Sequence, residues 1–100
     1  MKRSNVCTVV LEIVSDVCEI PVIDIVGVSR KMDIVDARCI AVKVLVDFGM
    51  SRECIVHAIH RKNPYSVNQL LETYEARMRS PYFRWCSKEV KRLFDKVVEE

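Results

Sequence analysis

Apolar residues early in the chain fall at Val6, Val9, Val10, Ile13, Val14 and Val17, the three- and four-residue spacing that lays one stripe along a helix. Ser4 or Asn5 stands where a cap is needed. The stretch is rich in Val and Ile, which also favour strands. Leu11, Glu12 and Asp16, however, fall on the opposite face, and no strict alternation persists, so the spacing predicts a helix. Pro21 and the run Val22-Ile23-Asp24-Ile25-Val26 then predict a short helix opened by proline, whose missing N–H costs nothing in a first turn, and closed by Gly27. A basic loop, Ser29-Arg30-Lys31, leads to a second long stripe: Ile34, Ala37, Ala41, Val44, Leu45 and Phe48. With Asp33 as its cap and Gly49 as its stop, this stripe predicts a central helix over about residues 33–48.

Ser51 can cap a short helix over 52–60, with Ile55, Ala58 and Ile59 as a narrow apolar face. The tight polar turn His60-Arg61-Lys62-Asn63-Pro64 follows, in which Asn63 caps and Pro64 takes the first helical position. Val67, Leu70, Leu71, Tyr74 and Met78 continue at helical spacing, so two helices meet through a short turn. That pattern, over about residues 51–79, is a helix-turn-helix. Ser80-Pro81 repeats the cap-plus-proline device, and Val90, Leu93, Phe94 and Val97 predict a final amphipathic helix. Tyr82, Phe83 and Trp85 stand before that helix and are expected to close the core rather than form a stacking platform. The result is an all-α fold with Val10, Ile13, Ala41, Val44, Leu45, Ile55, Val67, Leu71 and Phe94 in one core.

Composition narrows the function more than the fold. One hundred residues suit one domain over 1–100. Two Gly, three Pro, 50% apolar and 30% charged residues describe a compact helical chain, not a disordered one. Glu12 and Asp16 interrupt the most apolar stretch before it reaches the roughly 18 residues that cross a bilayer, and no small-residue cleavage site follows. The expected location is cytoplasmic, without membrane attachment. Five cysteines without a Cys-x-x-Cys pair fit reduced, mostly buried thiols. A net charge of +2 is too small to announce nucleic acid, so the placement of charge must carry that argument.

From Ile20 to about Tyr74 the chain resembles the C-terminal DNA-binding domain of the bacterial replication initiator DnaA. The family's short apolar helix, basic loop and long helix opening with Ala-Arg-Gln are matched by Val22-Ile23-Asp24-Ile25-Val26, by Arg30-Lys31, and by Ala37-Arg38-Cys39-Ile40-Ala41. Its Ser-Leu-Pro-Glu-Ile segment falls on Ser51-Arg52-Glu53-Cys54-Ile55, after a one-residue deletion near Gly49. Its Gly-Gly-Arg-Asp-His-Thr-Thr-Val signature falls on His60-Arg61-Lys62-Asn63-Pro64-Tyr65-Ser66-Val67. The resemblance implies about six helices in a Trp-repressor-like arrangement and a role in bacterial or mobile-element replication or transcription. It also implies Arg30 in the minor groove, Asn63, Pro64 and Tyr65 where bases are read, and Ser66 on a phosphate. The departures are Pro64 in place of the histidine, and His60 and Arg61 in place of the two glycines. No Gly-x-x-x-x-Gly-Lys-Ser/Thr loop is present, so the expectation is a DNA-reading module without an ATPase.

Read residue by residue, the DNA-contact candidates are Arg30, Lys31, Arg38, Lys43, Arg52, Arg61 and Lys62, gathered around a helix N-terminus that itself favours phosphate. Asn63, Pro64, Tyr65 and Ser66 join them through the resemblance. Lys62 and Arg38 are expected to act on phosphates. Cys54, His57 and His60 recur every three residues and tempt a metal or Cys–His nucleophile reading. With no fourth ligand, orienting carboxylate or oxyanion turn, a buried Cys beside two surface imidazoles is expected instead, with no cofactor and no catalysis. Glu12, Asp16, Glu19 and Asp24 early in the chain and Glu99-Glu100 at its end stand away from the basic constellation in sequence, which points to a homodimer or protein-partner surface on the first and last helices. Double-stranded DNA is the expected ligand. The rival is a protein-interaction module that keeps the scaffold without DNA binding.

Overall fold

A computed structural model describes residues 5–99. Six helices run in chain order: α1 Val6–Cys18, α2 Val22–Ile25, α3 Met32–Phe48, α4 Arg52–Ala58, α5 Tyr65–Arg77 and α6 Pro81–Glu99. No strand occurs among the described residues, and no described helix is long and apolar enough to cross a membrane.

The stop and start signals act where their chemistry predicts. Gly49 takes φ 104° at the end of α3. There the Met50 N–H reaches the Leu45 carbonyl and the Gly49 N–H reaches that of Val46, each at 3.0 Å, the paired closure that a left-handed residue permits. Ser51 Oγ accepts from the Cys54 N–H at 3.2 Å to open α4, and Ser80 Oγ accepts from the Phe83 N–H at 3.3 Å to open α6. Asn63 Oδ1 accepts from the Tyr65 N–H at 2.9 Å, as its capping role requires, while Pro64 stands at the N-cap with helical dihedrals, one residue before the helical position expected of it.

Two further caps differ from expectation. Lys31 stands at the N-cap of α3 and Asp33 lies within the first turn, where its Oδ1 accepts from the neighbouring Ile34 N–H at 2.9 Å. Asn5 precedes α1 without a side-chain cap bond, and Ser4 lies outside the described residues.

Helix α3 is the axis of the molecule and packs against all five others. Its buried face includes Ile34, Ala37, Cys39, Ile40, Ala41, Val42, Val44 and Leu45. Around it, Val10, Ile55, Val67 and Phe94 are buried in the same cluster, while Ile13 and Leu71 are partly buried against it. The expected core is therefore one core. Leu11, assigned to the polar face of α1, is buried, because α1 lies between α3 and α6 and meets both.

The aromatic trio is a correction. Helix α6 begins at Pro81, so Tyr82, Phe83 and Trp85 lie inside it. Phe83 is on the inner face with Cys86, Val90 and Phe94, its ring edge-on to Tyr74 at 5.7 Å between centroids. Tyr82 and Trp85 point outward, 63% and 57% exposed.

Candidate nucleic-acid interface

The segment from α4 to α5 places a nearly solvent-facing helix beside a short, structured turn. The turn closes with the His60 N–H on the His57 carbonyl and the Arg61 N–H on the Val56 carbonyl, at 3.2 and 2.9 Å. His60 adopts φ 57°, a left-handed conformation that costs an L-residue roughly 1–2 kcal/mol and costs glycine little. Helix α5 then buries Val67 fully and Leu70, Leu71 and Tyr74 in part. Tyr65 at its start is 66% exposed.

Of the cations expected to meet DNA, Arg30, Lys31, Arg52 and Lys62 are exposed. Arg30 and Lys31 lie on the loop before α3, and Arg52 and Lys62 lie at the two ends of the α4-turn segment. Arg52 Nε donates to Asn68 Oδ1 at 3.2 Å, fixing the start of α4 to the second turn of α5.

Arg38 does not belong with them as a free phosphate contact. Its side chain is buried, 5% exposed, with Nε donating to the Ile25 carbonyl at 2.6 Å and Nη2 to the Gly27 and Ser29 carbonyls at 3.1 Å each. Burial, and after it the positive charge of Arg61, hold this guanidinium below its usual range. Arg61 has a related task, donating to the Ile59 carbonyl at 3.0 Å and to that of Gly27 at 2.9 Å. Gly27 suits this crossing, since a Cβ there would stand 3.0 Å from the Ile23 carbonyl oxygen.

Lys43 is a second correction. It pairs with Asp47 at 3.4 Å and sits over the Tyr74 ring at 5.2 Å. It lines a separate cleft with Phe48, Ser87 and Phe94, apart from the other candidates.

Asn63 and Pro64 are exposed, but the Asn63 oxygen is held by its own helix and proline has no side-chain donor or acceptor. Ser66 is half-buried and lines a polar groove of about 530 Å³ with Arg30, Arg38, Arg61, Gln69, Leu70, Thr73 and Arg77. Gln69, Thr73 and Arg77 escaped the sequence reading. Their signal was available: Ser66, Gln69, Thr73 and Arg77 recur at helical spacing as a polar stripe beside the apolar one.

Cys54 is exposed, not buried as expected. Among the described residues no three His, Cys, Asp or Glu side chains converge as metal ligands. No family model, curated protein or solved structure matches the chain.

Proposed function

We propose that the chain binds double-stranded DNA, with α4, its turn and α5 acting as a Trp-repressor-like helix-turn-helix and α5 entering the major groove. The observation that carries this reading is the gathering of exposed cations about the first turns of α5: Arg30 shares a groove with Ser66 and Gln69, Arg52 bonds Asn68, and Lys62 lines a shallow pocket with Pro64, while the exposed Lys31 follows Arg30 on the loop. Such cations hold a helix against a groove by neutralising the phosphates on either side of it. The positive end of the α5 dipole adds to the same field. The resemblance to the initiator's domain lends support, since a family glycine falls on His60, where φ is positive.

Anisotropy titration with random duplexes over a range of salt tests the reading. If the four exposed cations neutralise one phosphate each, the log–log salt slope is about −3.6, so affinity falls roughly 150-fold between 50 and 200 mM salt. Replacing Lys62 by alanine should weaken binding to every duplex alike and bring the slope about one unit nearer zero. Binding independent of salt would defeat the proposal. It would favour the protein-interaction reading, for which the outward Tyr82 and Trp85 of α6 are the specific observation, aromatics being enriched at such surfaces.

Base reading rests on Tyr65, because Asn63 caps and Pro64 offers a ring alone. Tyr65 supplies one hydroxyl and an apolar face for a thymine methyl, and Arg30 senses minor-groove width. Selection from random duplexes should enrich a short A·T-biased motif, and Tyr65→Ala should flatten it while most non-specific affinity remains. An unaltered motif would place base reading elsewhere.

A further inference from the structure

The groove between the basic loop and α5 concentrates positive charge without the usual compensation. Four guanidiniums line it: Arg30, Arg38, Arg61 and Arg77. Arg77 is paired, its Nη1 lying 2.6 Å from Asp36 Oδ1. Among the described residues Arg30, Arg38 and Arg61 have no carboxylate partner within ion-pair distance. The bonds made by Arg38 and Arg61 run to backbone carbonyls, which orient a guanidinium but leave its charge uncancelled. Like charges at a partly dry site repel more strongly than they would in water, and Arg38 is nine-tenths buried. A fold ordinarily balances such a charge with a carboxylate. Here the α5 wall offers neutral polar groups instead, the Ser66 hydroxyl and the Gln69 amide, which can donate to an anion entering from solvent.

We propose that this groove is a seat for a phosphate group. Arg38 and Arg61 supply fixed positive charge at its base, Ser66 and Gln69 donate from the wall, and Arg30 stands at the rim, adding to the field while its own side chain extends towards the minor groove. Arg38 and Arg61 act there chiefly by charge, because most of their N–H groups already meet carbonyls, and a buried fixed charge attracts an oxyanion more strongly than one in water. The ligand we assign is a phosphodiester of a nucleic-acid backbone, an assignment that rests on the duplex reading above. The seat itself needs the phosphate alone. Arg38 thus joins two tasks in one side chain, holding the loop with Nε and Nη2 and adding charge to the groove.

The test uses the full ¹⁵N-labelled chain, with inorganic phosphate titrated against chloride at matched ionic strength. Saturable shifts should centre on the Ser66, Gln69, Leu70 and Thr73 amides and on the Nε–Hε signals of Arg38 and Arg61. Gln69→Glu places a carboxylate on the exposed wall without touching the core, and should weaken phosphate binding about tenfold or more while the melting temperature holds or rises, the new charge offsetting the arginines. No difference from chloride, shifts scattered over surface lysines, or a Gln69→Glu protein that binds phosphate as before would each overturn the seat. A short duplex then separates its failure from that of the duplex reading. Groove signals that respond to phosphate but not to duplex uphold the seat and remove DNA as its source. Tight, salt-dependent duplex binding with groove signals that ignore both ligands upholds DNA binding and removes the seat.

Discussion

Replacing Arg38 by alanine is expected to destabilise the protein by about 3 kcal/mol or more, because at least two hydrogen bonds from a charged donor, worth about 1.5–3 kcal/mol each, disappear together. The guanidinium binds the Ile25, Gly27 and Ser29 carbonyls, so its loss leaves the whole turn between α2 and α3 without its anchor. For a chain of this length such a loss lowers the melting temperature by roughly 12–24 °C. Arg38→Lys should recover only part of it, since an ammonium keeps the charge but lacks the planar fork that meets carbonyls on several sides. Urea denaturation followed by circular dichroism measures both variants. A cost below about 1 kcal/mol for the alanine variant would show that the turn holds itself.

The second large effect is expected at Leu45. It is wholly buried on the helix that every other helix packs against, so the surroundings are held from several directions and can collapse little into a void. Leu45→Ala should therefore cost about 2–5 kcal/mol, towards the upper part of that range. Leu45→Met, which nearly conserves volume, should cost less than about 1.5 kcal/mol. Equal losses for the two variants would mean that shape, not the cavity, governs the position. The same denaturation experiment decides.

The helices were legible because their punctuation is local. Gly49, Ser51, Asn63-Pro64 and Ser80-Pro81 act through their own backbones and short polar side chains, within four residues of where they stand. The fate of single side chains was less legible. Arg38 is flanked by Ala37 and Cys39 and reads as one more cation near a basic loop. Its burial depends on carbonyls nine to thirteen positions earlier folding back over α3, which no periodicity encodes. Lys43 is lost to the interface for a similar reason, as its partners Asp47 and Tyr74 hold it over another cleft.

The aromatic trio turned on helix phase. Once α6 starts at Pro81, the inner stripe is Phe83, Cys86, Val90 and Phe94, and Tyr82 and Trp85 fall outside it. Ser80-Pro81 already marked that start, and the error was to place the trio ahead of the helix instead of phasing it from Pro81. Gln69, Thr73 and Arg77 were missed because the apolar positions of α5 drew the reading, although the polar positions repeat as regularly.

The Gly27 carbonyl accepts from both Arg38 and Arg61, and through it the loop before α3, the centre of α3 and the turn before α5 share one knot. Segments so joined should open as a single cooperative unit, so their slow amide hydrogen exchange should report one common free energy instead of separate frayings. A loop fastened in this way gives up its conformational freedom when the chain folds. If Arg30 and Lys31 dock on DNA as proposed, the backbone that carries them would have little further freedom to lose, which leaves side-chain ordering as the remaining cost.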